Sequence, residues 1–185
     1  MKIFRKILFT FFIIIFIFLF TPSIHAQDNF GIGANFGIGT IGGNLPSQGS
    51  FNTSVFVEGN PGFTGNYLMR LTFIYATAMN VLLPTLTNRY TSFIKGISLK
   101  GIQSQNFSNS LYSEEGIGVL AINDRTYTNS NDWDYGAAFS ILVGLDLKHG
   151  AEKGFKIGVG GEYGLTFTST TVRYLAVYLQ STLFF

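Results

Sequence analysis

The chain contains no cysteine. Disulfide staples, thiolate metal sites and a lipidated N-terminal cysteine are therefore excluded. Histidine, the commonest general base and metal ligand, occurs only twice. Charged residues make up 12% of the sequence, about half the usual share. Proline contributes 4 of 185 residues, which argues against a disordered linker. Beyond Phe20 no apolar run approaches the roughly 20 residues of a membrane-spanning helix. The chain is instead rich in aromatic residues (16%) and carries 22 glycines. It is too apolar for an ordinary secreted domain and too interrupted for membrane helices.

The first 26 residues stand apart. Lys2, Arg5 and Lys6 precede an apolar run from Ile7 to Phe20 broken only by Thr10, and Thr21-Pro-Ser-Ile-His-Ala26 follows. This is the layout of a secretory signal peptide cleaved after Ala26. An uncleaved anchor is the alternative, but a run of about 14 residues is short for a bilayer. The domain organisation expected is residues 1–26 as signal peptide and 27–185 as one barrel domain. The full chain carries a net charge of +2. Without the three leader cations, nine basic residues face ten acidic ones, leaving about −1. Nothing in that balance points to nucleic acid.

The body of the chain alternates with a period of two. In Phe30-Gly-Ile-Gly-Ala-Asn-Phe-Gly-Ile-Gly39, Phe30, Ile32, Ala34, Phe36 and Ile38 share one parity, and glycine or Asn35 fills the other. Tyr135, Phe139, Ile141, Val143 and Leu145 repeat the pattern, as do Phe155, Ile157, Val159, Tyr163 and Leu165. Such alternation fits strands and not helices. Eight are expected, over 29–40, 50–58, 65–78, 90–104, 112–122, 133–147, 154–167 and 172–185. Turn-forming clusters such as Gly59-Asn-Pro-Gly62 and Asn129-Ser-Asn-Asp132 separate them. The fourth has no assignable facing, because Phe93, Ile97 and Leu99 share a parity with Lys95.

Length fixes the architecture. These segments reach the 9–11 residues of a membrane-crossing strand, whereas soluble strands average about 5–6. In hydrocarbon every backbone polar group needs an internal partner, so strands can cross only as a closed sheet. The expected fold is all-β: a single eight-stranded antiparallel up-and-down transmembrane β-barrel. The Phe and Ile side faces lipid and the Gly and Asn side faces a narrow lumen. In such a barrel Tyr174, Ala176, Tyr178, Gln180, Thr182 and Phe184 would turn inward, beside Gly31, Gly33 and Gly37 on one neighbour and Gly158, Gly160 and Gly164 on the other. Rings covering glycines are a device of curved sheets. For the hairpin of the sixth and seventh segments, a register pairing Asp146 with Lys156 and Ser140 with Glu162 keeps both faces unmixed.

The chain ends Tyr178-Leu-Gln-Ser-Thr-Leu-Phe-Phe185, in which Val177, Leu179, Leu183 and Phe185 share one parity. This resembles the C-terminal signature of Gram-negative outer-membrane barrels. With the leader, the whole chain resembles a small eight-stranded barrel of the OmpA-domain or OmpX type. The resemblance implies the cell outer membrane as location and outer-membrane lipid and lipopolysaccharide as surroundings. It also implies the barrel assembly machinery and periplasmic chaperones as partners in biogenesis, with Val177, Leu179, Leu183 and Phe185 as the assembly signal. Both termini would lie in the periplasm and loops 41–49, 79–89, 123–132 and 168–171 outside, the second of them largely apolar from Met79 to Leu86; the sequence names no ligand for them.

Candidate chemistry is thin. After leader removal only His149 remains, and no cofactor, metal or phosphate loop is expected. Asn106-Phe-Ser-Asn109 resembles the His-x-Ser-Asn motif of lipid A deacylases, but Asn106 stands where the histidine would activate Ser108. Inward parity collects Arg70, Asp134, Asp146, Lys156 and Glu162, and across an eight-stranded ring Arg70 is expected to reach Glu162. Charges inside a membrane protein are functional suspects, and a paired structural plug is the other reading. The function expected is a non-enzymatic surface barrel with a polar, plugged lumen. A narrow small-solute channel, a lipid-modifying enzyme and a secreted soluble barrel of the lipocalin kind are the alternatives.

Overall fold

Alternation sends successive side chains to opposite faces of a strand, and in this chain it produces eight strands and no helix among the described residues. A computed structural model describes residues 30–43, 46–61, 67–79, 91–108, 110–127, 131–148, 153–168 and 171–185. The expected signal peptide, the apolar stretch 81–86 of the second outer loop, and His149 lie outside the described residues. The strands are β1 (Gly31–Gly42), β2 (Gln48–Gly59), β3 (Tyr67–Ala78), β4 (Phe93–Asn106), β5 (Leu111–Arg125), β6 (Asp132–Asp146), β7 (Gly154–Thr166) and β8 (Arg173–Phe184). Each pairs antiparallel with its sequence neighbours, and β8 pairs with β1 to close the barrel. All eight expected segments are present. β1 and β5 run a few residues further toward the loop end than their sequence patterns suggest.

The register fixes how the barrel is wound. Partners followed from Phe184 run through Gly31, Glu58, Arg70, Lys100, Gly118, Ala138 and Gly164 and return to β8 at Tyr174. One circuit therefore shifts the register by ten residues. Eight strands with that stagger tilt by about 35–45° from the barrel axis and leave an interior that side chains just fill. A strand of 12 residues at that tilt rises about 30 Å, enough for the apolar band of about 25 Å typical of outer-membrane barrels. In the β6–β7 hairpin Asp146 lies opposite Lys156 and Ser140 opposite Glu162, which is the register the sequence suggests.

The two faces separate by polarity in the inverse sense to a water-soluble barrel. Ile141 and Val119 are 68% and 67% exposed on the outside, and Phe36, Phe73, Phe139, Val159 and Leu179 are exposed beside them. Arg70, Lys100, Glu58, Glu114 and Glu162 are buried inside. The facing of β4 is settled by its pairing with β3 and β5. Ile94, Gly96, Ser98, Lys100 and Ile102 turn inward, and Lys95, Ile97 and Leu99 turn outward.

Glycine and ring positions interlock at the curved wall. Tyr174 and Gly164 are register partners, and a Cβ added at Gly164 would sit 2.1 Å from Tyr174 Cε1. Phe56 covers Gly33 in the same way, at 2.2 Å from its Cζ. Tyr174 has little freedom to yield, because its hydroxyl donates to Glu162 Oε1. Gly164→Ala is therefore expected to destabilise the barrel by about 1–3 kcal/mol through overpacking. Gly101→Ala should be near neutral, since its added Cβ meets only the Ile117 carbonyl oxygen at 3.9 Å. Urea unfolding of both variants from liposomes, followed by the fluorescence of the single tryptophan, Trp133, measures the difference.

Candidate functional site

The inward wall of β2, β3, β5 and β8 holds one ionic cluster built around Arg70. Glu58 is the register partner of Arg70 across β2–β3. Arg70 Nε donates to Glu58 Oε2 at 2.6 Å, Nη2 to Glu114 Oε2 at 2.6 Å and Nη1 to Gln180 Oε1 at 3.0 Å. The guanidinium also lies 4.4 Å from the centre of the Phe56 ring. A guanidinium suits this position because its planar fork serves several acceptors at once while its face stacks on an aromatic ring. All three charged groups are buried, so each depends on the others for the hydrogen bonds that water would otherwise supply.

A second cluster starts beside the first, at Lys100, the β4 register partner of Arg70, and crosses the lumen to β7 and β8. Lys100 Nζ donates to Glu162 Oε2, and the Tyr174 hydroxyl donates to Glu162 Oε1. The expected reach from Arg70 to Glu162 is thereby corrected: Arg70 serves Glu58 and Glu114, and Glu162 is held by Lys100 and Tyr174. Beside Glu162 lies a cavity of about 20 Å³ lined in part by Asn35, Asn52, Ser54 and Tyr178. Asn35 donates to Ser54 Oγ at 2.9 Å and Asn52 to Ser50 Oγ at 3.0 Å. Their Oδ1 atoms have no protein partner among the described residues. The volume suits one water molecule, and these atoms are acceptors for it.

The two ends differ. At the end holding both termini, Lys156 Nζ is 3.8 Å from Asp146 Oδ2 and lies over the rings of Tyr112 and Phe184. Lys148, in the turn after β6, covers the other part of the Phe184 ring at 4.4 Å. Its pKa is held below the ordinary lysine value, by burial first and then by the neighbouring charge of Lys156. At the opposite end, Asp134 accepts from the Thr168 hydroxyl at 2.6 Å, and Asp124 accepts from the backbone and hydroxyl of Thr126. Between them Ile41, Ile94, Ile122 and Val172, each at most 2% exposed, form an apolar cluster with Ala76 and Ala78 across the lumen. The interior is thus not polar throughout, as the sequence suggests. Polar and apolar side chains share both ends: Ile102, Tyr112 and Leu142 are buried toward the termini, and Asp124 and Asp134 are buried beside the apolar cluster under the loops.

Of the charges read from parity, Arg70, Asp134, Lys156 and Glu162 are buried and Asp146 is half-buried. Asp146 and Lys156 are brought together at the end holding the termini, whereas Arg70, Glu162 and Asp134 lie elsewhere along the barrel, so the five do not form one site. Glu58, Lys100 and Glu114 complete the clusters and were not singled out from the sequence. Parity carries the signal for two of them. Glu58 follows Asn52 and Ser54 at even positions but is preceded there by Phe56, and Glu114 follows an inward Tyr112. Lys100 sits on the strand whose facing the sequence leaves open.

At the C-terminus, Val177, Leu179, Leu183 and Phe185 are exposed on the outside. The Phe185 amide donates to the Phe30 carbonyl at 3.0 Å, and the two rings are 6.5 Å apart. The segment from Asn106 to Ser108 forms part of the β4–β5 turn, where Ser108 Oγ accepts from the Leu111 amide at 3.2 Å. Asn109 lies outside the described residues. The described residues contain no group of three or more metal-ligating side chains.

No family model matches the chain, and no curated protein matches it. Among solved structures, the barrel is similar to Neisserial surface protein A, with a TM-score of 0.64 at 10% identity over 85% of this chain and 97% of that one. The attachment invasion locus protein Ail of Yersinia pestis, crystallised in complex with the heparin analogue sucrose octasulfate, aligns at a TM-score of 0.48 and 10% identity over 85% and 98%. The N-terminal β-barrel domain of Pseudomonas aeruginosa OprF aligns at 0.44 and 14% over 85% and 98%. At these identities the likeness is one of fold: the chain has the architecture of the small eight-stranded outer-membrane barrels.

Proposed function

We propose that this chain is a non-enzymatic integral barrel of the bacterial outer membrane, exported by a signal peptide removed after Ala26. Its lumen is closed, and its working surface is the set of loops joining β1 to β2, β3 to β4, β5 to β6 and β7 to β8. The observation that carries this reading is the inversion of polarity. A belt rich in Ile, Val, Leu and Phe faces outward, and ion pairs occupy the axis. Water offers such a belt nothing, whereas lipid acyl chains and lipopolysaccharide match it. The strand carrying Val177, Leu179, Leu183 and Phe185 is the element we assign to the barrel assembly machinery.

Closure of the lumen separates a surface protein from a channel. Ion-paired side chains and buried rings occupy its middle, and a largely apolar cluster lies under the loops, which supports closure. Purified protein in planar bilayers is accordingly expected to give no steady conductance, and a stable open level would favour the small-solute channel. Membrane fractionation with gel migration before and after boiling tests the placement. The folded barrel should co-purify with outer membrane and migrate faster until heated. Recovery in the soluble fraction without detergent would overturn the membrane assignment. The deacylase alternative lacks support at its own motif, since Ser108 is engaged with turn amides.

A further inference from the structure

Single polar residues, Ser181 on β8 and Thr53 on β2, interrupt the outward belt, and among the described residues a cluster of them stands at one place. On β4 and β5, near the turn that joins them, Gln103, Gln105, Ser113 and Glu115 face outward. Gln103 pairs with Glu115 and Gln105 with Ser113 in the β4–β5 register, so the four form a compact two-by-two patch. Its described neighbours on the flanking strands are apolar or aromatic. Tyr67 and Met69 are the β3 partners of Gln103 and Gly101, and Ile141 and Val143 are the β6 partners of Glu115 and Ser113. All four flanking side chains are exposed. Phe107 and Leu111 continue the apolar surface between the patch and the turn, so the patch is an island within the belt and not its edge.

Resting on the membrane reading above, this island places a carboxylate and two amides against acyl chains, where each lacks a hydrogen-bond partner. We propose that the patch is the contact surface for a second copy of this chain in the bilayer. The patch is self-complementary in the way a two-fold contact requires. With the two-fold axis parallel to the barrel axis and at the contact, between β4 and β5, β4 of one copy faces β5 of the other. Gln103 and Glu115 are register partners, and the strand tilt sets them only about 3 Å apart along the axis, within the reach of both side chains. The Gln103 amide of one copy then donates to the Glu115 carboxylate of the other, twice over by symmetry. Ser113 donates its hydroxyl proton to the Gln105 carbonyl oxygen in the same reciprocal manner. Beside the patch Gly101 presents no side chain to an approaching copy, and a Cβ there would meet only the Ile117 carbonyl oxygen at 3.9 Å.

The chain lacks cysteine, so single cysteines report contacts cleanly. Full-length protein carrying Gly101→Cys is reconstituted in phosphatidylcholine and phosphatidylglycerol liposomes and oxidised, with Ala34→Cys, outward on β1 at the far side of the barrel, as reference. The expected result is a cross-linked dimer at least five-fold more abundant for Gly101→Cys. Adding Gln103→Leu and Glu115→Leu to Gly101→Cys should lower the yield at least five-fold while the heat-modifiable fraction is retained. Equal yields from the two cysteine positions, or a yield indifferent to the two leucines, would overturn the proposal. A monomer that cross-links at neither position assigns the patch to a different occupant and overturns it as well. Failure to float with liposomes or to show heat-modifiable migration removes the membrane reading itself, and that result is distinguishable because it precedes the oxidation step.

Discussion

Arg70→Leu is expected to destabilise the folded barrel by about 3–5 kcal/mol, the range for removing one partner of a buried ion pair. The size follows from what is left behind. Arg70 is the shared donor of Glu58, Glu114 and Gln180, and its loss leaves two carboxylates buried within one cluster. Leucine replaces some of the packing against Phe56 but supplies no donor. Arg70→Lys keeps the charge and loses the fork, so one point charge must serve acceptors on three strands. Its expected cost is smaller, about 1–3 kcal/mol, the range of a lost hydrogen bond to a charged group. The decisive variant is the neutralised triple, Arg70→Leu with Glu58→Gln and Glu114→Gln, which should recover most of the loss. Chemical unfolding from liposomes, read by Trp133 fluorescence and by heat-modifiable migration, gives all three values. A triple variant as unstable as Arg70→Leu alone would show that Arg70 acts by packing and not by charge.

The unequal legibility of this cluster in the sequence has a physical cause. Parity along a strand is a local property, so the inward set of β6, β7 and β8 can be read residue by residue, and the hairpin register follows from keeping two faces unmixed. Position around the ring is also legible, because up-and-down closure gives each strand its place in order. Height along the axis is not. The hydrogen-bonded line from Arg70 reaches β7 at Gly164, and half a circuit of a barrel with this stagger climbs about five residues. The β7 position level with Arg70 therefore lies near Val159, about three residues below Glu162. Two residues on opposite strands miss each other because of the tilt, which no single segment encodes. The apolar cluster at the loop end is illegible for a similar reason. Ile41 lies beyond the apparent end of the first alternating segment, and Ile94 belongs to the strand whose facing only pairing decides.

The polarity inversion makes its own quantitative demand. Val55 is 57% exposed on the outside of β2, and its register partners are Ala34 and Phe73, so no charge is near it. In water, Val55→Arg would change stability by less than about 0.5 kcal/mol, as at any exposed position free of special contacts. In a bilayer the same guanidinium lies near the middle of the apolar band and is expected to cost about 2–4 kcal/mol, falling to about 0–1 kcal/mol near an interface. Thr40→Arg, outward on β1 close to the loop end, supplies the interfacial reference and should be nearly neutral. Valine and threonine have similar shape and both are exposed, so the comparison isolates depth from packing. Unfolding free energies of the two variants in the same liposomes decide the matter. A depth-dependent difference of at least about 1.5 kcal/mol, within the range quoted for lipid-facing arginine, places the belt in hydrocarbon. Small, equal costs would place it in water, and the ion pairs at the axis would then need an explanation other than a membrane.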